Sequence, residues 1–196
     1  MYSMYSKVEA TKDHAVHSNY KSIWMAKSKD GVHWSDAGTI HEVPEDSEKQ
    51  IWACAVHKVN DKFVLNYGAY EGKGDTTCYL LKLLVSDDLQ KWEYMGKEYD
   101  IVSPPNADGS KARIDTVNIL KYDNTYYGYG TGRYAFIKSK DGLKWEFSGT
   151  TDQRVDFSEM LPKPRSIDHT SIEVGDCAEI GNKYYFLAGC QDWNVR

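Results

Sequence analysis

The 196-residue sequence lacks the features of several large classes of protein. It has no apolar run long enough to cross a bilayer, so we predict no membrane partner. Positive charge is in deficit, since 24 Lys and Arg stand against 29 Asp and Glu, and this balance argues against a nucleic-acid partner. Cysteine and histidine are few and have no metal-ligand spacing, so we predict no metal site and no cofactor. We expect small buried thiols at Cys54, Cys78, Cys177 and Cys190.

Convincing helical periodicity is also absent from every long segment. Instead, the motif Ser-x-Asp-(Gly/Leu)-x-x-Trp occurs three times, at Ser28–Trp34, Ser86–Trp92 and Ser139–Trp145. Its tryptophans are 58 and 53 residues apart, and recurrence at such a period indicates a repeat architecture. Asp-Gly favours a tight turn between strands, and the Ser and Asp side chains can satisfy the turn amides. We therefore expect three equivalent hairpins, each with its tryptophan packed between adjacent sheets.

A second pattern alternates with the first. A strand, a two-residue polar turn and an aromatic-rich strand recur around Asn60-Asp61, Asp123-Asn124 and Gly181-Asn182. These turn residues tolerate the left-handed region that tight hairpins require. The repeating order is strand A, tight turn, aromatic strand B, loop, strand C, Asp-Gly-type turn and strand D. Four antiparallel strands of this kind form a propeller blade, so the sequence predicts an all-β fold, an arc of a five-bladed β-propeller.

The repeats assign the chain to one partial β-propeller domain, residues 1–196. Residues 1–40 form a predicted partial blade, residues 41–100 and 101–150 two blades, and residues 151–196 a second partial blade. Propellers typically have four to eight blades, and an open arc exposes strand edges. We therefore expect that further polypeptide completes the ring, either from the same protein or from other copies of this chain in a homo-oligomer.

The pattern resembles the five-bladed propeller glycosidases. These are glycoside hydrolase family 43, with its arabinanases and β-xylosidases, and the related invertases and levansucrases. Trp52-Ala53-Cys54, Ile114-Asp115-Thr116 and Glu173-Val174-Gly175 resemble that family's Trp-Ala-Pro, Ile/Arg-Asp-Pro and Glu-Gly-Pro or Glu-Ala-Pro at the start of strand A in blades two, three and four. Each expected proline is replaced, by Cys54, Thr116 and Gly175. The resemblance covers nearly the whole chain and implies a carbohydrate substrate.

The internal register supports the same three residues. Trp52, Asp115 and Glu173 each lie 11 residues before the first aromatic residue of strand B, which predicts equivalent places near the mouth of the central channel. Asp176 is the alternative to Glu173, because the invertase branch has Glu-Cys-Pro where this chain has Asp176-Cys177-Ala178. Asp176 lies three residues further along the strand, which points it to the opposite face unless a bulge intervenes. We therefore favour Glu173.

The resemblance also implies roles. In the family, the third-blade Asp supports the transition state and raises the pKa of the acid, and the fourth-blade Glu is the general acid. These roles fall to Asp115 and Glu173, in glycoside hydrolysis by paired carboxyl groups. The family's catalytic base opens strand A of the first blade, before Met1 here, so we expect a fragment that lacks the base. The predicted substrate-binding residues on the same face are Trp52, Arg113, Arg133, His169 and Trp193.

Two other functions compete with catalysis. A non-catalytic glycan-binding propeller module would keep the fold and have lost the base, and the missing prolines leave this alternative open. A protein-interaction propeller is disfavoured, because the Gly-His…Trp-Asp signature of that class is absent from the sequence.

Overall fold

The computed structural model describes residues 2–6, 21–44, 49–72, 77–130, 136–147 and 171–191. Their secondary structure is almost entirely β, with one short 3-10 helix at Lys97–Tyr99. The strands are β1 (Tyr2–Ser6), β2 (Ser22–Ser28), β3 (Trp34–Glu42), β4 (Gln50–Val59), β5 (Lys62–Tyr70), β6 (Leu80–Ser86), β7 (Glu93–Tyr94), β8 (Ile101–Val102), β9 (Val117–Tyr122), β10 (Thr125–Gly130), β11 (Phe136–Ser139), β12 (Glu146–Phe147), β13 (Ser171–Ile180) and β14 (Lys183–Gln191). Within these ranges, no helix is long and apolar enough to span a membrane.

The strands pair into four antiparallel sheets that follow the order of the chain. The first sheet is β1-β2-β3, the second β4-β5-β6-β7 with β8 added to β6, the third β9-β10-β11-β12, and the fourth β13-β14. In terms of the repeat, the first sheet contains strands B, C and D. The second and third sheets each contain strands A, B, C and D, and the fourth contains strands A and B. The structure therefore confirms the predicted all-β fold and its four-stranded antiparallel blades.

The three Ser-x-Asp turns are held by the same hydrogen bonds. In the second turn, the Ser86 hydroxyl accepts the Leu89 N–H at 2.9 Å, and Asp88 Oδ1 accepts the N–H groups of Gln90 and Lys91 at 2.8 and 2.9 Å. The corresponding bonds recur in the first and third turns. The residue after the Asp has a positive φ each time, and it is glycine in two turns and Leu89 (φ 65°) in the second. Local side-chain chemistry thus determines these turns, as predicted.

The three motif tryptophans do not share the equivalent environments that the repeat predicts. Trp92 packs against the apolar cluster between the first and second sheets, and Trp145 packs against the cluster between the second and third. Trp34 is 42% exposed. The physical reason is that Trp92 and Trp145 pack toward the preceding sheet, and the described part of the chain contains no sheet before β1. The expectation of equal packing is therefore wrong for Trp34.

The core consists of apolar side chains packed between successive sheets. The cluster between the first and second sheets is built around buried residues of β2, β4, β5 and β6: Ile23, Ile51, Leu65, Tyr67, Ala69, Leu80 and Leu84. The cluster between the second and third sheets, here called the second seam, contains Val59, Val64, Leu81, Leu83, Ile101, Ile114, Val117, Tyr126 and Ile137. The segment that leads into β9 runs along the second seam, through Ile114.

Candidate active site

The backbone before and after Asp115 is held in place by hydrogen bonds of the neighbouring residues. It lies two residues before β9, whose first residue, Val117, donates its N–H to Asn66 Oδ1 at 3.0 Å. The Asn66 amide donates back to the Val117 carbonyl at 2.8 Å. On the other side, the Ile114 N–H donates to the Cys78 carbonyl at 2.8 Å. Asn66 lies in β5 and Cys78 lies two residues before β6, so contacts with the second blade fix the position of Asp115.

The Asp115 carboxylate is buried, with 5% of the residue exposed, and it binds the guanidinium group of Arg113. Arg113 Nε donates to Oδ1 at 3.1 Å and to Oδ2 at 2.9 Å, and Arg113 Nη2 lies 2.6 Å from Oδ2. The planar fork of arginine suits such a paired contact with a carboxylate. The positive partner offsets the large cost of burying a charge.

Trp52, near the start of β4, and Tyr70, the last residue of β5, form an aromatic corner. Their ring centroids are 6.4 Å apart with an interplanar angle of 79°, an edge-to-face contact. Trp52 pairs across the sheet with Gly68, where an added Cβ would lie 2.7 Å from Cys78 Sγ and 3.2 Å from the Trp52 Cβ. Glycine at position 68 therefore permits the close packing behind the corner.

Tyr70 is the residue of the aromatic corner that lies near Asp115. Burial raises the pKa of Tyr70, and the nearby groups of Cys78 and Asp115 raise it further, so the carboxylate acts on the phenol through space. Tyr70 is not among the site residues predicted from the sequence, because an aromatic residue in strand B is also expected to fill the core. Its position at the last residue of β5, where the loop to strand C begins, is the signal that indicates the mouth of the site.

The thiols near this site are held protonated. Burial, followed by the Asp115 charge, raises the pKa of Cys78 to about 12, and burial alone raises that of Cys54 to about 12. Cys78 is buried as expected, whereas Cys54 and Cys177 are partly exposed. A thiol becomes a nucleophile only as the thiolate, so these cysteines are not nucleophiles at neutral pH. Across the described ranges, no three His, Cys, Asp or Glu residues converge as metal ligands.

Glu173 occupies the same register position in its hairpin as Trp52 does in the second sheet. Glu173 pairs with Gly189 and Trp52 pairs with Gly68, and each pair lies beyond a register shift in strand A. This equivalence is the one that the offset of 11 residues predicts. Only the backbone of Glu173 belongs to the described structure. Arg133, His169 and Trp193 lie outside the described residues.

The register shift in β13 overturns the argument that separated Glu173 from Asp176. Glu173 pairs with Gly189 and Asp176 with Leu187, because the bulge between Val174 and Asp176 absorbs one residue. The two partners are two residues apart on β14 and therefore share a face of the sheet. The odd spacing along β13 thus does not place the two acidic residues on opposite faces. Asp176 is exposed, and its Oδ1 accepts the Cys177 N–H at 2.7 Å.

A separate cavity of about 520 Å³ lies between the third and fourth sheets. It is lined by Leu120, Tyr122, Tyr127, Tyr129 and Tyr184. No residue predicted from the sequence for catalysis or substrate binding lines it. The space between these two sheets is therefore distinct from the site around Asp115.

Comparison with solved structures identifies the fold as that of the propeller glycosidases. The GH32 β-fructofuranosidase BmSUC1 of Bombyx mori matches 100% of this chain and 39% of that chain, with a TM-score of 0.65 and 18% identity. The exo-β-1,3-galactanase 1,3Gal43A of Clostridium thermocellum matches 74% of this chain and 34% of that chain, with a TM-score of 0.52 and 16% identity.

A third similar structure comes from another glycosidase family. Zg3597, a family 117 glycoside hydrolase of the marine bacterium Zobellia galactanivorans, matches 64% of this chain and 41% of that chain, with a TM-score of 0.50 and 21% identity. This chain thus spans less than half the length of each of the three. No protein-family model matches the sequence, and no curated protein matches it. Similarity at this level of identity establishes the fold.

Proposed function

We propose that this chain supplies part of the active site of a glycoside hydrolase that cleaves oligo- or polysaccharides by carboxylate acid/base catalysis. The observation that carries the proposal is the burial of Asp115 within electrostatic reach of the Trp52–Tyr70 corner, on a glycosidase fold. Aromatic rings offer platforms to sugar faces. A fixed carboxylate stabilises the positive charge that develops on the sugar ring in the transition state.

The proposed roles follow the resemblance. Asp115 supports the transition state, and Glu173 protonates the leaving-group oxygen as general acid. Asp176 is the alternative acid, and the bulge in β13 makes it a closer competitor than the sequence indicates. The resemblance assigns the base to strand A of the first blade, and the first sheet of the described structure holds only strands of types B, C and D.

A non-catalytic glycan-binding module is the second candidate function. The observation that favours it is the replacement of all three motif prolines, by Cys54, Thr116 and Gly175. In both candidates, the Trp52–Tyr70 corner and Asp115 bind sugar. They differ in turnover, so binding and hydrolysis have to be measured separately.

Isothermal titration calorimetry with neutral oligosaccharides tests the binding step. The panel includes β-1,3-linked galacto-oligosaccharides and also sucrose, since a mutant of the Bombyx mori enzyme has been solved in complex with sucrose. We expect Asp115→Asn to weaken binding about tenfold or more, as loss of a charge-assisted hydrogen bond does. Asp123→Asn is the matched control, since Asp123 is exposed in the β9–β10 turn. Failure of the wild type to bind any member of the panel would contradict the proposal.

Release of reducing sugar tests catalysis and identifies the acid. We expect this chain to bind glycan, and the same preparation is assayed for turnover of that glycan. In a protein that releases sugar, Glu173→Gln should lower turnover strongly on natural glycans and less on activated aryl glycosides, which need little protonation. Asp115→Asn should damage both reactions. If Asp176→Asn shows the leaving-group dependence instead, Asp176 is the acid.

A further inference from the structure

We infer that Arg113 is a positioning residue, which fixes the Asp115 carboxylate toward the sugar rather than contacting the substrate itself. The inference rests on the proposed function, since it takes Asp115 as the carboxylate that faces the sugar. From the sequence alone, Arg113 is predicted to bind substrate. The geometry of the pair favours the positioning role.

The contacts between the two side chains are unequal at the two carboxylate oxygens. Oδ2 receives Arg113 Nε at 2.9 Å and Nη2 at 2.6 Å, whereas Oδ1 receives only Nε, at 3.1 Å. A carboxylate accepts about four hydrogen bonds in all, two at each oxygen. Among the described residues, Arg113 alone donates to Asp115. Arg113 therefore occupies the acceptor positions of Oδ2 and leaves acceptor capacity on Oδ1.

Arg113 reaches the carboxylate from within the same short segment of chain. The two residues are two apart within residues 111–116, which form no regular element. The Arg113 side chain is 52% exposed while that of Asp115 is 8% exposed. The guanidinium thus keeps part of its hydration while it pairs with a buried anion, which lowers the desolvation cost of the pair. A lysine at this position would offer a point charge without the fork that fixes both oxygens.

A double-mutant cycle on glycan affinity separates positioning from substrate contact. With the oligosaccharide that the wild type binds most tightly, we expect Arg113→Gln to weaken binding about tenfold and Arg113→Lys to recover only part of the loss. In the Asp115→Asn background, Arg113→Gln should have little further effect, because its action passes through the missing carboxylate. Lys111→Gln is the control, since it removes the same charge from an ammonium that lies over the Tyr79 ring at 4.0 Å.

Two outcomes distinguish the inference from the proposed function. If the wild type binds and the Arg113 and Asp115 losses add, Arg113 contacts the sugar directly and the inference is wrong. If the wild type binds no glycan, the proposed function fails, and a ligand-free measurement still decides the local question. The crystal structure of Arg113→Gln should show the Asp115 carboxylate in a different or a split rotamer. An unchanged rotamer in that variant would also overturn the positioning role.

Discussion

His57 makes the stability of the second seam sensitive to acid. It lies in β4, is 9% exposed, and packs edge-to-face against Trp145 with ring centroids 6.1 Å apart. Within the described structure, neither its ring nitrogens nor the Trp145 indole N–H has a hydrogen-bond partner. Burial lowers the pKa of His57 to about 4, although the nearby Gly142 backbone favours the charged form. The imidazole is therefore neutral in the folded protein at pH 7.

The size of the effect follows from proton linkage. Because the pKa of His57 is lower in the folded chain than the ordinary value of 6.5, the unfolded state binds more protons as the pH falls. Stability is therefore retained above pH 6.5 and is lost progressively between about pH 6.5 and pH 4. At about 1.4 kcal/mol for each unit of pKa, the total loss is about 3 kcal/mol, of which about 2 kcal/mol is lost by pH 5.

His57→Leu tests this effect with the residue type that the third sheet has at the equivalent position. Leu120 occupies the equivalent position in the third sheet, two residues before the end of strand A. Leucine removes both unpaired ring nitrogens and the titration. We expect the variant to be at least as stable as the wild type at pH 7, and to lose about 2 kcal/mol less of its free energy of unfolding between pH 7 and pH 5.

Urea unfolding followed by tryptophan fluorescence at pH 7, 6 and 5 provides the measurement. Burial also lowers the pKa of His41, and the contribution of His41 to the pH profile cancels when the two proteins are compared. His57→Gln is the second variant, since it keeps a polar side chain without the titration and should also have a flatter pH profile. If the wild type and His57→Leu lose equal stability between pH 7 and pH 5, the acid sensitivity does not arise at His57.

Four further predictions concern the seam, the site, the turns and assembly. Asn66→Ala should lower the free energy of unfolding by about 2–4 kcal/mol in urea denaturation, because it leaves the buried backbone groups of Val117 unpaired. Gly68→Ala should reduce both stability and glycan affinity, measured by urea unfolding and calorimetry, because its Cβ would overlap Cys78 Sγ. Ser86→Ala should cost about 1 kcal/mol of unfolding free energy, since the Ser86 hydroxyl accepts two turn amides. Sedimentation velocity should show self-association of the chain at micromolar concentration, and a monomeric, closed ring would contradict this expectation.

The strand order and the turns could be predicted because both depend on local chemistry. The Ser-x-Asp side chains bond amides within the same turn, and Asn60 adopts a positive φ of 54° in the first tight turn. The packing of the tryptophans is not local. Trp34 and Trp92 have the same sequence motif, and they differ in exposure because packing depends on which sheet lies alongside. A repeated motif therefore predicts a repeated turn more securely than a repeated environment.

The candidate site shows the same division between local and non-local information. The equal offset of Trp52 and Glu173 is retained, because each hairpin has one register shift between its tight turn and this residue. The face of Asp176 was predicted wrongly, because it depends on a bulge whose presence follows from cross-strand pairing. The spacing of two residues between Arg113 and Asp115 does not by itself predict that they pair, and only the structure shows that the guanidinium engages both carboxylate oxygens.

The second seam connects the stability of this fold with its proposed chemistry. The backbone on either side of Asp115 is anchored at Asn66 in β5 and at Cys78 just before β6, whereas Asp115 itself leads into the third sheet. His57 lies on the same seam through its contact with Trp145. The Asp115 carboxylate, which we propose to act on the sugar, is therefore held by the neighbouring blade. Substitutions that loosen the contact between the two blades should reduce sugar binding even when they touch no sugar, whereas substitutions in the outer turns should reduce stability alone.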